Sequence, residues 1–453
     1  MDDLALDEEP GGTQSPPLCG YPRVSALPIW CQELELGGPL PGVIVSPPRQ
    51  DGRYSTVRML LRLHGEPLGY VQGSLRDGQL PTAELLHSAS VALRERAAEH
   101  LKAEGLTDVM SLEALPPSAR TCPNRVDALE QVTVAVCTRN RPQVMRRCLQ
   151  RLRDLQYPRL EILVVDNAPT DDSTQTLVRE AALDDARVRY VREERPGLAC
   201  ARNRAVLEAR GQLLAFTDDD VSVDSLWVHG LVRGLRRRPD VACITGLVAS
   251  ASIESLAEAY FDARVSWSAV QAPRTYDLRT GQSQDALFPY SPGIFGTGAN
   301  LALRTDVIRE LGGFDEALGA GTVTRGGEDL DIFIRVLREG YALVYEPSAL
   351  VWHHHRADME ALSEQMYAYG TGFTALVAKL MANRSTRWEL LRRVPTGLGR
   401  FRRAGQATSR SAPPGVRLPR ALLLQELKGM AHGPLLYVQA RRRIPPRANK
   451  AQP

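Results

Sequence analysis

The stretch LLAFTDDDV, residues 213–221, decides the fold of this chain. The five residues before the acids are apolar or β-branched, which predicts a strand that is buried on both faces. Strands of this kind occur in parallel sheets that are covered by helices on each side. The carboxylates Asp218, Asp219 and Asp220 follow directly at the carboxyl end of the strand, where such sheets bind their ligands.

The alternation of strand and helix extends along the chain around this stretch. Pro142 stands where it can begin a helix, and apolar residues recur after it at helical spacing, at Val144, Cys148, Leu149, Leu152 and Leu155. Further helices are predicted over 177–183 and 199–209. The pattern predicts an α/β domain with a mostly parallel sheet and flanking helices. The predicted strands cover residues 132–137, 161–165, 188–191 and 213–217.

Polar residues follow three of these strands, at 138–141, 166–167 and 218–220. The carboxyl ends of parallel strands meet at one edge of a sheet, so we expect the three clusters to converge. Asn140 could instead cap the following helix, and Asp166 could hold a turn. The three adjacent acids repel one another, and a bound cation is the natural compensation. Their hard oxygen ligands favour Mg²⁺ or Mn²⁺, with a solvated loop as the alternative.

Eight motifs between residues 132 and 356 together resemble the family 2 glycosyltransferases. In chain order they are VTVAVCTRNRP from 132, ILVVDNAPTDDS from 162, GLACARNRA from 197, LLAFTDDDV from 213, GTGANLALR from 296, GGFDE from 312, GGEDLD from 326 and VWHHHR from 351. Any one of these motifs is weak, whereas all eight in the order of the family are specific. The resemblance implies the Rossmann-like GT-A fold.

The resemblance also assigns residues to the nucleotide-sugar donor. It implies that Asp218 of the Asp-x-Asp motif contacts the ribose, and that Asp219 completes the motif and supports its turn. Small residues in the GTGAN segment let a sugar approach the backbone. The other donor-binding residues that it implies are Thr138, Arg141, Asp166, Arg202, Asn203, Gly298 and Asn300.

The metal ligands implied by the resemblance are Asp220 and His353, with Mg²⁺ or Mn²⁺ as the cofactor. Three histidines follow the predicted strand over 349–352. Alternate residues of a strand point to the same side, so His355 is a second candidate for this role.

A second acidic cluster, Glu328 and Asp329, opens a predicted helix. The resemblance makes Asp329 the catalytic base that deprotonates the acceptor, with Glu328 contacting or orienting that acceptor. Asp331 is a weaker candidate for the base, because the Glu-Asp pair of the family matches Asp329. Acids at helix N-termini also occur for purely electrostatic reasons, which is the alternative explanation.

These residues imply a hexosyltransferase-like enzyme that moves a sugar from a nucleotide-diphospho-sugar to a hydroxyl acceptor with inversion. The acceptor class stays open between a glycan, a lipid-linked molecule and a small molecule, and the implied setting is cell-envelope or glycan biosynthesis. The alternatives are a retaining GT-A transferase and a non-catalytic module that binds a nucleotide-sugar or glycan. A nucleotidyltransferase is disfavoured, because no glycine-rich loop follows residues 132–137. No nucleic-acid partner is expected.

We expect four segments in the 453 residues. Residues 1–25 are acidic and rich in Gly and Pro, which predicts disorder. Residues 26–115 predict a small α+β accessory domain with strands at 56–63 and 70–72 and a helix over 82–103. Residues 129–380 form the predicted GT-A domain, and residues 381–453 a basic tail that is helical or partly disordered.

Charge and cysteine content suggest a location for the protein. The net charge is only +3, yet residues 384–453 hold 14 Arg and 2 Lys against Glu389 and Glu426. This basic tail suggests peripheral contact with an anionic membrane surface, with a solvated tail as the alternative. The seven cysteines show neither CxxC nor a Cys/His zinc spacing, which favours a reducing compartment. We therefore expect a cytoplasmic protein, and the basic tail leaves open a peripheral contact with the inner face of the membrane.

Overall fold

The computed structural model describes residues 27–50, 52–106, 111–117, 122, 127, 129–265, 267, 269–280, 285–393, 395–396 and 420–444. The predicted disorder of residues 1–25 lies outside this range.

The N-terminal unit is a small α+β layer whose core is the buried strand β3. Its elements are β1 (Ile29–Glu35), β2 (Val43–Val45), β3 (Thr56–Leu63), β4 (Glu66–Ser74), β5 (Gln79–Pro81), α1 (Thr82–His87) and α2 (Val91–Ala103). One sheet has the order β1-β3-β4, and β2 pairs with β5. The single helix predicted over 82–103 is wrong, because the chain breaks at 88–90 and starts again where the Ser90 side chain accepts a hydrogen bond from Leu93 N.

A nine-stranded mixed sheet forms the centre of the larger unit. Its order is β10-β14-β11-β13-β9-β6-β7-β8, with β12 paired to β14. The elements are β6 (Val132–Thr138), α3 (Pro142–Arg153), β7 (Leu160–Asn167), α4 (Ser173–Asp184), β8 (Val188–Glu193), α5 (Leu198–Glu208), β9 (Leu213–Asp218), β10 (Val221–Val223), α6 (Trp227–Leu235), β11 (Val241–Ser250), α7 (Leu256–Val265), β12 (Arg274–Tyr276), β13 (Asn300–Arg304), α8 (Thr305–Glu310), α9 (Glu328–Arg338) and β14 (Ala342–His353).

The four strands β9, β6, β7 and β8 run parallel, and β11 is parallel to β14. Strands β13, β10 and β12 run antiparallel to their neighbours. Successive residues of β6 enter different cores, Val134 and Val136 on one face and Ala135 on the other. The predicted α/β architecture, with a mostly parallel sheet and helices on both faces, is confirmed.

Two long helices close the C-terminal part of the chain, α10 (Met359–Ala382) and α12 (Arg420–Arg443), with a short helix α11 (384–393) after the first. Helices α10 and α12 pack at very short range. A Cβ added at Gly429 would lie 2.2 Å from the carbonyl oxygen of Tyr367. Helix α12 is also held to α7 by an ion pair of 2.6 Å between Glu426 and Arg264. The described part of the basic tail is therefore docked on the protein, while residues 397–419 and 445–453 lie outside the described range.

None of the helices in the described ranges combines the length and apolar character that a membrane span requires.

Candidate functional site

The carboxyl ends of β6, β7 and β9 lie side by side at one edge of the central sheet. In the strand register, Thr138 faces Asp166 and Cys137 faces Asp218. The polar clusters that follow these strands are thus brought together, as the sequence predicted.

Asp166 is completely buried at this edge. Its Oδ2 accepts a hydrogen bond of 3.0 Å from the hydroxyl of Tyr190, while its Oδ1 has no partner within the protein. Burial raises the pKa of Asp166 above its ordinary value. A buried carboxylate oxygen without a partner is costly, so this atom is well suited to accept a hydrogen bond from a ligand.

We refer to the carboxyl ends of β6, β7 and β9, with the polar residues that follow them, as the donor edge. Asp219, the middle acid of the run, connects residues of this edge to one another. Its carboxylate accepts hydrogen bonds from the Thr138 hydroxyl, at 2.7 Å, and from the Arg141 guanidinium, at 2.5 Å. Arg141 also lies 3.5 Å from Asp220, and its side chain is 42% exposed. The structure therefore groups Thr138, Arg141 and Asp219, and leaves the arginine available at the surface of the site.

Arg202 lies between the two acidic clusters. Its guanidinium donates to Glu328 Oε1 at 3.0 Å and to the Gly298 carbonyl at 3.1 Å, and it lies 3.5 Å from Asp218 Oδ1. The side chain is only 3% exposed. Its guanidinium carbon lies 5.7 Å and 5.5 Å from the ring centres of Phe216 and Phe314. This buried cation joins the donor edge to the start of α9.

The second acidic cluster begins α9 directly after Gly327, whose backbone φ of 96° is in the left-handed region that glycine favours. Glu328 is buried, and its pKa is raised to about 7 by this burial and by the neighbouring Asp329 carboxylate, against the effect of Arg202. Asp329 is half-buried, and its Oδ2 accepts a hydrogen bond of 2.8 Å from Gly298 N. The GTGAN segment and the Glu-Asp pair are thus in direct contact.

Asp331 has a different environment from Asp329. Its carboxylate is 1% exposed and is paired with Arg335 at 2.8 Å and with Lys379 at 2.6 Å. The pair with Lys379 ties α9 to α10. The geometry favours the prediction that Asp329, and not Asp331, is available to an acceptor.

The histidines at the end of β14 lie beside the acids after β9. His353 is paired with Val221, the residue that follows Asp220. Burial lowers the pKa of His353, and the Asp220 carboxylate opposes this shift. His353 Nδ1 lies 3.1 Å from His355 Nδ1, which confirms that the two rings share one side of the chain. His354 instead approaches Ser222, at 3.5 Å.

His355 is held by a chain of contacts that sequence reasoning missed. Its Nε2 lies 2.8 Å from the hydroxyl of Ser250, which donates to Asp262 at 2.5 Å. Asp262 is in turn paired with the buried Arg58 of β3 at 2.9 Å. Because both ring nitrogens of His355 have partners in the protein, the geometry favours His353 over His355 as a metal ligand.

The side-chain amides of Asn203 and Asn300 are hydrogen-bonded within the protein. Asn203 exchanges hydrogen bonds with the backbone of Phe314, at 2.7 and 3.0 Å. Asn300 accepts from the indole of Trp227 at 2.9 Å and donates to the carbonyls of Leu247 and Ala349. Both residues therefore shape the donor edge from behind, and their predicted contact with a nucleotide-sugar stays a prediction.

The residues at the donor edge fit a divalent cation. Asp218 and Asp220 leave 36% and 29% of their side chains exposed. Burial raises the pKa of Asp218 to about 6 against the effect of Arg202, and the neighbouring carboxylates contribute to the rise. Within the described residues, Asp218, Asp220 and His353 do not bring their ligand atoms to within 4.8 Å of one another. Such an open donor set suits an ion that also takes oxygens from phosphates, as Mg²⁺ does.

Part of the chain is similar to proteins of known families. Residues 133–312 match the family model described as glycosyl transferase family 2. The pre-mycofactocin glycosyltransferase of Mycobacterium tuberculosis is 27% identical over 326 residues, which cover 70% of this chain and 62% of that relative. The chain thus spans less than two thirds of the length of this relative.

Two other proteins illustrate the range of similar chains. The succinoglycan biosynthesis protein ExoM of Rhizobium meliloti is 27% identical over 273 residues, covering 57% of this chain and 79% of the relative. The solved mannosyltransferase PcManGT of Pyrobaculum calidifontis, in complex with GDP-Man and Mn²⁺, is 20% identical, with a TM-score of 0.43. The match covers 69% of this chain and 86% of that structure.

Proposed function

Residues 133–312 belong to glycosyl transferase family 2, and on this premise we propose that the protein transfers a sugar from a nucleotide-diphospho-sugar to a hydroxyl acceptor with inversion at the anomeric carbon. The observation that carries the proposal is the buried Arg202. Its guanidinium contacts Asp218 on the donor side and Glu328 on the acceptor side. One rigidly held cation thereby fixes the distance between the two halves of a transfer site, as proximity catalysis requires.

The nucleotide would bind at the ends of β6 and β7. Asp166 Oδ1 is the acceptor atom for an N–H group of the base, because it is buried and has no partner in the protein. Thr138 and Arg141, both oriented by Asp219, would contact the base and ribose. Asp218 is the acid on the ribose side, and the small Gly298 lets the sugar approach the backbone.

Asp220 and His353 would hold Mg²⁺ or Mn²⁺ at this edge. A bound divalent ion neutralises the charge that develops on the departing nucleoside diphosphate. The chain itself supports this site from behind, because the contacts of His355 with Ser250 and His353 restrict the orientation of the ligand ring.

Asp329 is the proposed catalytic base. It removes the proton from the acceptor hydroxyl, and the acceptor oxygen attacks the anomeric carbon on the face opposite the diphosphate. The bond from that carbon to the diphosphate oxygen breaks in the same displacement, so the configuration inverts. The hydrogen bond from Gly298 N fixes the Asp329 carboxylate beside the small-residue segment. Glu328, held by Arg202, would orient the acceptor.

Two steps test the proposal. A panel of nucleotide-sugars with Mn²⁺, scored by thermal stabilisation, first identifies the donor. Asp329→Asn is then expected to lower transfer by about 10²–10⁴-fold while the donor still stabilises the protein. Asp331→Asn is the matched control from the same helix, and it should keep transfer wherever it folds. Full transfer by Asp329→Asn would disprove the assignment of the base.

The stereochemistry and the enzyme class have separate readouts. NMR of the anomeric proton of the product distinguishes inversion from the retaining alternative. A non-catalytic binding module would be stabilised by a donor, yet would neither transfer nor hydrolyse the sugar under any condition. The relative named for succinoglycan biosynthesis supports a glycan acceptor in cell-envelope or glycan biosynthesis.

We also propose that the enzyme is cytoplasmic and contacts the inner face of the membrane through its C-terminal part. Helix α12 carries exposed apolar residues at helical spacing, Leu424, Leu427, Leu435 and Val438. The same helix ends in three arginines, 441–443, and an apolar stripe with basic residues is typical of interfacial helices.

Co-sedimentation with liposomes tests this contact. The variant Leu424→Ser/Leu435→Ser should bind anionic liposomes more weakly than the wild type, because both side chains are exposed and contribute little to the fold. Leu183→Ser, at a still more exposed position on α4, is the control and should bind as the wild type does. Equal binding by all three proteins would disprove the membrane contact.

A further inference from the structure

Four side chains that are distant in sequence meet inside the N-terminal unit. They are His64, His100, Glu104 and Cys122, and their ligand atoms all lie within 4.8 Å of one another. The side chains of His64, His100 and Glu104 are at most 3% exposed, and Cys122 is buried. This cluster lies apart from the proposed transfer site, and none of its four side chains has an assigned role in that site.

The atoms that face each other in this cluster are mainly hydrogen-bond acceptors. His64 Nε2 lies 2.9 Å from the carbonyl oxygen of Pro116, so this nitrogen must carry a proton and donate. His100 Nδ1 lies 2.8 Å from the Glu66 carboxylate and donates there for the same reason. The inner nitrogens, His64 Nδ1 and His100 Nε2, then present lone pairs to each other at 3.1 Å.

Glu104 adds a carboxylate oxygen to the same point, 2.5 Å from His64 Nδ1 and 2.8 Å from His100 Nε2. Cys122 Sγ approaches His100 Nε2 to 3.6 Å. Lone pairs and negative charge at such short range require a positive centre between them. Either extra protons on the imidazoles or a metal ion can provide it.

We propose that His64, His100, Glu104 and Cys122 bind one zinc ion. Imidazole nitrogen, carboxylate oxygen and thiolate sulfur are all zinc ligands, and four is the number of protein ligands that zinc takes in closed structural sites. With bonds of about 2.0–2.3 Å and tetrahedral angles, ligand atoms lie roughly 3.3–3.7 Å apart. The N–N distance of 3.1 Å and the S–N distance of 3.6 Å are close to this range. The O–N distances of 2.5 and 2.8 Å are shorter, so the Glu104 carboxylate would move outward when the ion binds. The carboxylate and the thiolate together balance the charge of the ion.

The fold presents these ligands from three separate elements. His64 lies at the tip of the turn between β3 and β4, with a backbone φ of 53°. Glu35 fixes this turn, because its carboxylate accepts hydrogen bonds from the backbone N–H groups of His64 and Gly65. His100 and Glu104 are one helical turn apart at the end of α2, so both side chains project from the same face.

Cys122 belongs to the connection between the N-terminal unit and the transferase domain. An ion at this cluster would therefore attach that connection to the turn and the helix. The outer partner of His100 extends the network further, since Glu66 also lies 3.5 Å from Arg233 on α6 of the transferase domain. Outer carboxylates of this kind orient a metal-bound histidine and fix its tautomer. The proposed zinc is therefore structural, and it holds the N-terminal unit against the transferase domain.

The decisive experiment measures zinc in the full-length protein by inductively coupled plasma mass spectrometry, after dialysis against a weak chelator. The wild type is expected to retain about one zinc per chain. Cys122→Ser and His100→Gln should each lose it, while Cys243→Ala and His87→Gln, which change a cysteine and a histidine outside the cluster, should retain it. Glu66→Gln should weaken zinc binding by about 10–100-fold, as expected for an outer partner.

Cobalt replacement keeps the test valid if a variant fails to fold. Wild-type protein loaded with Co²⁺ should show the visible bands of a tetrahedral site and a thiolate-to-cobalt charge-transfer band, and the second band requires a cysteine ligand. Wild-type protein that retains no zinc and shows no such band overturns the proposal in favour of a protonated histidine network. Zinc retained by both Cys122→Ser and His100→Gln, or lost on Asp220→Asn, would place the ion elsewhere and overturn it as well.

Discussion

The buried Glu328 makes a specific prediction about how stability depends on pH. The perturbation is Glu328→Gln, which copies the protonated acid in shape and keeps an oxygen that can accept from Arg202. In the wild type the pKa of Glu328 is raised from 4.5 to about 7, chiefly by burial and then by Asp329. A folded-state pKa above the unfolded value means that the folded protein holds this proton more tightly. The stabilisation is therefore present below pH 4.5 and is lost as the pH rises through about 7.

The size of the effect follows from the two pKa values. At 1.36 kcal/mol for each pH unit, the difference between 4.5 and about 7 corresponds to a loss of up to about 3 kcal/mol in the free energy of unfolding. The glutamine cannot ionise, so it escapes this loss. We expect the wild type and Glu328→Gln to be equally stable near pH 4.5, and the variant to be more stable at pH 8 by up to about 3 kcal/mol.

Urea denaturation of both proteins at pH 4.5, 6 and 8, without added divalent cation, measures the difference directly. Asp218 also has a raised pKa, but it is present in both proteins and largely cancels from the comparison. The variant should gain this stability while losing transfer activity, because a site built for function is seldom optimal for folding. A variant that is less stable than the wild type at pH 8 would refute the reasoning, since the ion pair with Arg202 would then outweigh the cost of burial.

Three further predictions address single contacts. Asp166→Asn should weaken donor binding, measured by thermal shift with nucleotide-sugars, because an amide offers one acceptor oxygen where the buried carboxylate offers two; unchanged donor stabilisation would contradict the role of this residue. Arg58→Met should lower the free energy of unfolding by about 3–5 kcal/mol in urea denaturation, because it leaves Asp262 buried and unpaired; Asp262→Asn should recover part of this loss in the double variant, and additive losses would contradict the pairing. Gly429→Ala should lower the melting temperature, because its Cβ would lie 2.2 Å from the carbonyl oxygen of Tyr367. This clash should outweigh the stabilisation of about 0.5–1 kcal/mol that alanine usually gives a helix over glycine. A rise in melting temperature would show that α10 and α12 do not pack this closely.

The donor edge could be predicted from the sequence because its determinants are local. Each apolar strand and the polar residues after it lie within about ten residues, and the parallel sheet then sets the three strand ends side by side. The helix predicted over 82–103 failed for an equally local reason, since Ser90 caps a new helix in the middle of the segment. Local patterns thus determined the elements and the edge at which they meet.

The partners of the site residues could not be predicted in the same way. Arg202 contacts Glu328, 126 residues away, and the buried pair of Arg58 and Asp262 spans 204 residues. The cluster around His100 shows the same limit, because its partners His64 and Cys122 are 36 and 22 residues distant. No motif has this spacing, so the sequence offered no zinc signature. Only the packing of the turn, the helix and the connection brings these side chains together.

The N-terminal unit supports the transfer site directly, although its sequence carries no recognisable chemistry. Strand β3 supplies two buried arginines, and Arg62 is paired with Asp224 at 2.7 Å, directly after β10. Strand β10 begins one residue after Asp220 and pairs with the end of β14 at His353. The other arginine, Arg58, is paired with Asp262, which is connected through the Ser250 hydroxyl to His355 just after β14. Both elements that carry the proposed metal ligands are therefore braced by one strand of the N-terminal unit.

This arrangement couples the docking of the N-terminal unit to the geometry of the transfer site. The pairs of Arg58 with Asp262 and of Arg62 with Asp224 form only while the two units are in contact, although Arg62 also has a partner within its own unit, Glu33 at 2.8 Å. The apolar contacts of Leu60 with Leu247 and Leu350 lie between the two pairs and exclude water from them. The proposed zinc would act on the same strand, because its ligand His64 lies in the turn that follows β3. Loss of that ion should therefore displace His353 and lower the measured rate of sugar transfer, although no residue that contacts the sugar is changed.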